Sequence, residues 1–234
     1  MARWGLARCP LSALPLRPPP LVGPQAPLLP ARLLLGFWLT AVVLGGGILL
    51  GRHLPALPLP TAADPRPAAA LAQLRGPEGS GWAVAHVLYA DCDCSRGVAE
   101  VLLRAPLQAD VREYVVLVGD DDQLAAQLAA SGRPVHPASA GALVDRWGLE
   151  GAPAAVIIDE NNVLRTVSGY TERKQAAVVR WPALLDEARA GAPTQAPLFG
   201  CATSARLRSR THPWEPLITA LWPVDRSPLS PSTP

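Results

Sequence analysis

An uncharged apolar run near the N-terminus limits what this chain can fold into more than any other feature. It extends from Leu33 to Leu50, eighteen residues with Arg32 before it and Arg52 after it. A helix rises about 1.5 Å per residue, so about 20 apolar residues span the roughly 30 Å hydrocarbon layer of a bilayer. The run therefore predicts one transmembrane helix, over residues 33–51.

Two other interpretations fit this run less well. The apolar region of a secretory signal peptide is about 7–15 residues long and lies near the start of the chain, whereas more than thirty residues precede this run. A buried core helix needs a domain around it, and the neighbouring residues, rich in Leu, Pro and Ala, do not resemble one. The membrane helix is the favoured interpretation.

The arginines around the run predict its orientation. Four arginines and no acidic residue precede it: Arg3, Arg8, Arg17 and Arg32. Three arginines and one aspartate follow it before residue 76. Because short loops rich in basic residues stay in the cytoplasm, residues 1–32 are expected to form a cytoplasmic tail. In a bacterium the rest of the chain then faces the periplasm from the inner membrane, in a compartment where disulfides persist.

The distribution of charge excludes one large functional class. Residues 76–190 carry ten basic and sixteen acidic side chains, a net charge of −6, although the whole chain has +2. Nucleic-acid binding requires a basic face, so this part is not expected to bind DNA or RNA. Composition then predicts a Pro/Ala-rich linker at 52–80, a globular domain at 81–190 and a partly disordered C-terminal extension at 191–234.

Apolar patterns in the domain predict strands that alternate with helices. In chain order the elements are a strand at 82–89, a helix after Cys94, a strand at 114–118, two helices around Leu124 and Trp147, strands at 154–159 and 163–170, and a helix at 171–190. The last two strands form a hairpin, whereas strands separated by helices favour parallel pairing. The fold class is therefore α/β, with a mixed sheet and flanking helices.

This order of elements resembles a thioredoxin-like domain, in which cysteines lie at a helix N-terminus and a Gly-x-Pro precedes the hairpin. The matching elements here are Asp91-Cys92-Asp93-Cys94 and Gly151-Ala152-Pro153. The segment GLEGAPAAVIIDENNVLRTVSGYTER is similar to the corresponding part of membrane-anchored periplasmic thioredoxin-like proteins. The resemblance covers residues 80–190 and implies that Pro153 is cis and lies against the active cysteines.

The cysteine motif departs from that family, and the departure affects its chemistry. One residue separates Cys92 from Cys94, where the family has two, and Asp91 replaces the aromatic residue common before the first cysteine. A disulfide across this spacing closes a small, strained ring, which favours the dithiol. A helix N-terminus stabilises a thiolate, whereas carboxylates at Asp91 and Asp93 oppose it.

By analogy with the family, Cys92 is the nucleophile, Cys94 the resolving thiol and Pro153 shapes the substrate surface. The predicted function is thiol–disulfide exchange with a protein thiol or disulfide partner, without a cofactor. Cys201 is a possible accessory thiol: it is expected to pair with Cys92 or Cys94, to pair between chains, or to stay free. Cys9 lies on the predicted cytoplasmic side and is expected to be a reduced bystander.

Two alternatives use the same residues differently. Thiolates at this spacing suit Cu(I), and Sco-type copper chaperones are thioredoxin-like, membrane-anchored and extracytoplasmic. The ligand set would then be Cys92, Cys94 and His136, with His136 in a loop at 134–137. His86 alternates within a strand and is expected to be a packed side chain. The third alternative is a binding module that keeps the fold without chemistry.

Overall fold

The computed structural model describes residues 29–53, 56–77, 79–174, 179–191 and 195–211. The chain divides into two compact units, Met1–Ile48 and Leu49–Pro234. Most of the predicted cytoplasmic tail and the end of the predicted C-terminal extension lie outside the described residues.

Helix α1, Leu29–His53, contains the predicted membrane run. Its side chains are described from Arg32 to Ile48 and expose large apolar groups: Leu33, Leu34, Leu35, Phe37, Trp38, Leu39, Val42, Val43, Leu44 and Ile48. In the part of the chain that the structure describes, no helix combines the length and the hydropathy that crossing a membrane requires.

The second unit is built on a five-stranded mixed sheet with the order β3-β2-β1-β5-β6. The described helices and strands after α1 are α2 (Arg66–Arg75), β1 (Trp82–Tyr89), α3 (Asp93–Arg104), β2 (Val111–Val118), α4 (Asp122–Ala130), β3 (Val135–Ala138), α5 (Ala140–Trp147), β4 (Gly151–Ala152), β5 (Ala154–Ile158), β6 (Leu164–Ser168), α6 (Ala183–Arg189), β7 (Cys201–Ala202) and α7 (Ala205–Thr211). The mixed sheet and its flanking helices are consistent with a thioredoxin-like fold.

Alternation along β1 supplies both faces of the sheet. Ala83, Ala85 and Val87 point into a core with α2 and α5, whereas Val84 and Leu88 point into a second core with α3, α4 and α6. A central strand buried on both faces reads as a continuous apolar run, which is why its sequence predicted it. β1 ends just before the start of α3, so the cysteine motif lies at the C-terminal end of this central strand.

The pairing of the strands is confirmed for β1, β2 and the hairpin, and it differs from expectation at β5. β1 and β2 are parallel, and β5 and β6 are antiparallel. Strand β5 is also antiparallel to β1, although helix α5 precedes it. The chain enters β5 opposite Val87, near the C-terminal end of β1, so β5 runs back along β1 in the opposite direction. The last helix is shorter than predicted: α6 begins after Pro182, and a proline is tolerated only in the first turn of a helix.

Helix α2 lies within the predicted linker at 52–80, so part of that segment belongs to the folded unit. Leu71 is fully buried in the core that α2 shares with α5, and Arg75 is 6% exposed. The Arg75 guanidinium donates to the carbonyl oxygens of Gly81, Asp159 and Glu160 and to Asn162 Oδ1, at 2.5–3.2 Å. A helix with four alanines and one proline thus covers one face of the sheet.

Candidate thiol–disulfide site

Strand β1 and helix α3 position Cys92. The chain turns after Tyr89, where the Cys92 amide donates to the Tyr89 carbonyl at 3.1 Å and the Tyr89 amide donates to the Ser95 hydroxyl at 3.0 Å. Cys92 is the N-cap residue of α3 and is fully buried. Its sulfur therefore lies where the helix dipole stabilises negative charge once the sulfur is reduced.

The backbone around Pro153 covers Cys92 from the opposite side. The Ala152–Pro153 peptide bond is cis, as the resemblance implied. Cys92 Sγ lies 3.9 Å from the Ala152 carbonyl oxygen. Because the sulfur is in a disulfide, it has no proton to donate, and this is a packing contact. After reduction the thiol has a proton that this carbonyl is placed to accept.

Cys201 reaches the same site from the C-terminal segment. It forms a disulfide with Cys92, with the two Cα atoms 6.0 Å apart and a sequence separation of 109. Strand β7 pairs antiparallel with β4, so Ala152 lies opposite Cys201. The sequence left several partners open for Cys201, and the structure has the bond to Cys92.

Cys94 differs from Cys92, although it is only two positions away. Its thiol is free and exposed. It lies in a groove of about 510 Å³, whose lining also includes Pro153, Tyr170, Phe199 and Gly200. The lining also contains charged side chains of both signs, Asp93, Glu100, Arg104 and Lys174, and the apolar side chains of Val98, Val101 and Val179. An extended segment of another protein can therefore approach Cys94 from solvent.

A buried polar network extends inward from Tyr170. The Tyr170 hydroxyl lies 2.6 Å from His86 Nδ1, and His86 Nε2 lies 3.4 Å from Glu113 Oε2. Glu113 pairs with Arg133 at 2.7 Å, and both side chains are buried. Burial lowers the pKa of His86, so the ring is neutral at pH 7 and accepts the hydroxyl proton at Nδ1. His86 is a packed side chain, as predicted, and it holds Tyr170 at the groove wall.

His136 lies in strand β3 and not in a loop, which corrects the prediction for residues 134–137. It is opposite Val116 in the sheet, and its ring centroid is 5.8 Å from that of Tyr114. Pro137 is compatible with a strand here because β3 is at the edge of the sheet. Among the described residues, no three His, Cys, Asp or Glu side chains are grouped as a metal site.

Two glycines that the sequence did not single out bring the C-terminal segment into the site. A Cβ atom on Gly200 would lie 1.9 Å from the Ala152 carbonyl oxygen and 2.8 Å from Pro153 Cδ. A Cβ atom on Gly169 would lie 2.0 Å from the Pro197 carbonyl oxygen. The backbone of residues 197–201 thus passes in direct contact with Gly169 and Ala152. The glycine immediately before Cys201 was the local signal in the sequence from which this close approach could have been predicted.

Comparisons with known proteins give likenesses in structure alone. No protein-family model matches the chain, and no curated protein matches its sequence. An uncharacterized conserved protein from Geobacillus kaustophilus is 16% identical, with 53% of this chain and 77% of that chain covered and a TM-score of 0.44. A hypothetical protein from Sinorhizobium meliloti 1021 is 15% identical, with 65% and 93% covered and a TM-score of 0.43. A thioredoxin-like protein in its oxidized form is 16% identical, with 49% and 79% covered and a TM-score of 0.38.

Proposed function

We propose that this protein is a membrane-anchored, extracytoplasmic thiol–disulfide oxidoreductase in which Cys92 is the exchanging sulfur. The observation that carries the proposal is the Cys92–Cys201 disulfide at the N-terminus of α3, beside cis Pro153. A sulfur at a helix N-terminus is stabilised as the thiolate, which is the nucleophile of disulfide exchange. The chemistry needs no cofactor.

The exchange is a sequence of two balanced steps. The Cys92 thiolate of the reduced protein attacks one sulfur of a partner protein's disulfide, forms a mixed disulfide and releases the partner's other sulfur as a thiolate. A second thiolate of this chain then attacks Cys92 Sγ and releases the partner as a dithiol. The protein is oxidised by two electrons, the partner is reduced by two, and a protein dithiol restores the starting state by the reverse steps.

The second thiolate is either Cys201 or Cys94. The Cys92–Cys201 bond supports Cys201 in this role. Cys94, the resolving thiol expected from the sequence, is free and exposed two residues from Cys92. A Cys92–Cys94 disulfide requires the release of Cys201, so the three cysteines hold one disulfide among them at a time.

The anchoring half of the proposal rests on helix α1. Its described side chains expose leucine, valine, phenylalanine and tryptophan along the helix, and such a surface is stable in contact with lipid. The arginines of residues 1–32 favour a cytoplasmic N-terminus and a periplasmic domain in a bacterial inner membrane. Resistance of the full chain to extraction from membranes at alkaline pH, and protection of a tag at the N-terminus in spheroplasts, test this half.

The test of the exchange chemistry is a thiol titration of the full chain in detergent. A Cys9→Ser background leaves three cysteines, and alkylation followed by mass analysis counts the free thiols across a glutathione redox series. We expect a reversible two-electron step that remains in Cys94→Ser and disappears in Cys92→Ser. Loss of the step in Cys94→Ser and its retention in Cys201→Ser would instead assign the resolving role to Cys94.

Other outcomes contradict the proposal. Thiols that stay reduced across the series, and that one equivalent of Cu(I) protects from alkylation, indicate copper delivery. His136→Ala separates the two activities, because copper affinity then falls whereas disulfide exchange does not. Thiols that respond to neither treatment leave a binding module without chemistry.

A further inference from the structure

The C-terminal segment occupies the site as an extended peptide would. Strand β7 adds to β4 in antiparallel register, with Gly151 opposite Ala202 and Ala152 opposite Cys201. Strand addition of this kind supplies affinity through main-chain hydrogen bonds and specificity through the side chains beside them. The ladder is two residues long and ends at the Cys92–Cys201 bond.

The position before the cysteine is the most restricted one in this arrangement. A Cβ on Gly200 would overlap the Ala152 carbonyl oxygen, which is backbone and cannot rotate away. Phe199, one residue earlier, lies in the groove that also contains Cys94 and Tyr170. The site therefore accommodates an apolar side chain two residues before the cysteine and excludes any side chain directly before it.

We propose that the strip formed by Cys92, Gly151 and Ala152 binds extended segments of other proteins in which glycine directly precedes a cysteine, and that residues 199–202 are its resident occupant. This inference rests on the proposed function and names its substrate class. The resident segment remains tied to the fold by Leu198, which is fully buried and accepts a hydrogen bond from the Leu57 amide at 2.8 Å. Once the disulfide is reduced, the two-residue ladder has to separate, together with the neighbouring hydrogen bond from the Thr203 amide to the Glu150 carbonyl oxygen at 2.8 Å.

The bound partner reacts by the first exchange step. Its cysteine, in a disulfide, lies where Cys201 lies now. The Cys92 thiolate bonds to that sulfur, the partner's second sulfur leaves as a thiolate, and no further oxidant is required. Cys201 then regenerates the bond seen in the structure and expels the partner as a dithiol. The resident segment therefore competes with the substrate for the same strip, and it occupies the strip again when the reaction is complete.

The test compares two peptides on the full chain in detergent. The first has the sequence of residues 196–204, Ala-Pro-Leu-Phe-Gly-Cys-Ala-Thr-Ser, and the second has alanine in place of glycine. Each carries its cysteine as a mixed disulfide with 5-thio-2-nitrobenzoate, whose release is followed by absorbance. The protein carries Cys9→Ser, Cys94→Ser and Cys201→Ser, so Cys92 is its only thiol. Rates with free glutathione correct for the intrinsic reactivity of each peptide.

We expect Cys92 to react at least about tenfold faster with the glycine peptide, a difference of about 1.4 kcal/mol. The matched chain that keeps Cys94 and lacks Cys92 is expected to react with both peptides at similar rates, because Cys94 lies outside the ladder. Equal corrected rates at Cys92 overturn the substrate class and leave the exchange function standing. No release from either peptide by Cys92 overturns both.

Discussion

Helix α2 and the C-terminal segment, residues 195–211, both lie outside the predicted domain, yet different forces hold them in place. α2 is held by burial, with Leu71 fully enclosed and Arg75 bonded to three carbonyls. The C-terminal segment shares that core through Leu198 but reaches the site through two ladder residues and a reducible bond. Burial acts in every redox state, whereas the disulfide does not. Helix α2, the N-terminal flank of the predicted domain, is therefore structural, whereas the attachment of the C-terminal flank, residues 195–211, depends on the redox state of the disulfide.

The largest effect is expected from Leu71→Ala, which removes a fully buried side chain from the flank held by burial. Large-to-small core substitutions of this kind cost about 2–5 kcal/mol. Chemical denaturation should show the same loss with and without reductant, because no cysteine is involved. Leu107→Ala, at a position 45% exposed, is the control and should change the unfolding free energy by less than about 0.5 kcal/mol. A loss that appears only in the oxidised protein contradicts the distinction between the flanks.

Reduction of the Cys92–Cys201 disulfide should weaken the attachment of the C-terminal flank. The Cys92–Cys201 bond joins residues 109 positions apart in the chain, and a disulfide typically contributes about 2–4 kcal/mol, mainly by restricting the unfolded chain. The free energy of unfolding of the wild type should therefore fall by this amount on adding dithiothreitol. Cys201→Ser should have the stability of the reduced wild type whether or not dithiothreitol is present. Cys94→Ser is the matched control and should respond to reductant as the wild type does. Equal stability of oxidised and reduced wild type would falsify the assignment.

Gly200→Ala sharpens the comparison within the C-terminal segment. The added methyl group meets the Ala152 carbonyl oxygen, so the segment must leave its register and the Cys92–Cys201 bond becomes less favourable to form. We expect the equilibrium constant for disulfide formation to fall about tenfold, or about 1.4 kcal/mol, in a glutathione titration. Gly141→Ala, where a Cβ meets only Ser139 Oγ at 3.9 Å, is the control. An unchanged constant contradicts the tight passage at Ala152.

The smallest expected effect concerns the ion pair that fixes the end of the segment. Arg206 pairs with Glu150, and the Ser204 hydroxyl donates to Glu150 at 2.8 Å. The hydrogen bond from Arg206 lowers the pKa of Glu150 below its usual value, so the pair stabilises the folded state above about pH 4.3, the usual value for Glu, and this contribution is lost as pH falls through the lowered pKa.

Arg206→Gln should therefore be slightly less stable than the wild type at pH 7, and the two should converge below the folded pKa of Glu150. Unfolding midpoints measured between pH 3 and pH 7 check this. Arg112→Gln, at an exposed position of β2, should show no such convergence. A difference that persists at the lowest pH is inconsistent with an origin in Glu150.

Local signals explain which parts of the fold could be predicted. The apolar runs of β1, β5 and β6 are short-range patterns, and they indicated the strands, whereas the cis form of Pro153 was implied by the resemblance to thioredoxin-like domains. Helix α2 was missed because Pro65 and Pro67 suggest a linker, although proline is compatible with a helix start. The pairing of β4 with β7 was missed because no local pattern specifies contacts between residues so far apart in the chain.

The Cys92–Cys201 bond also makes most of the folded unit a covalent ring. A protease that cuts once between residues 93 and 200 opens this ring without releasing a fragment, so the nicked protein keeps its full mass on a non-reducing gel. The nicked protein separates into two fragments as soon as the disulfide is reduced. Limited digestion followed by paired gels therefore reports the oxidation state of this one bond in membranes taken directly from cells.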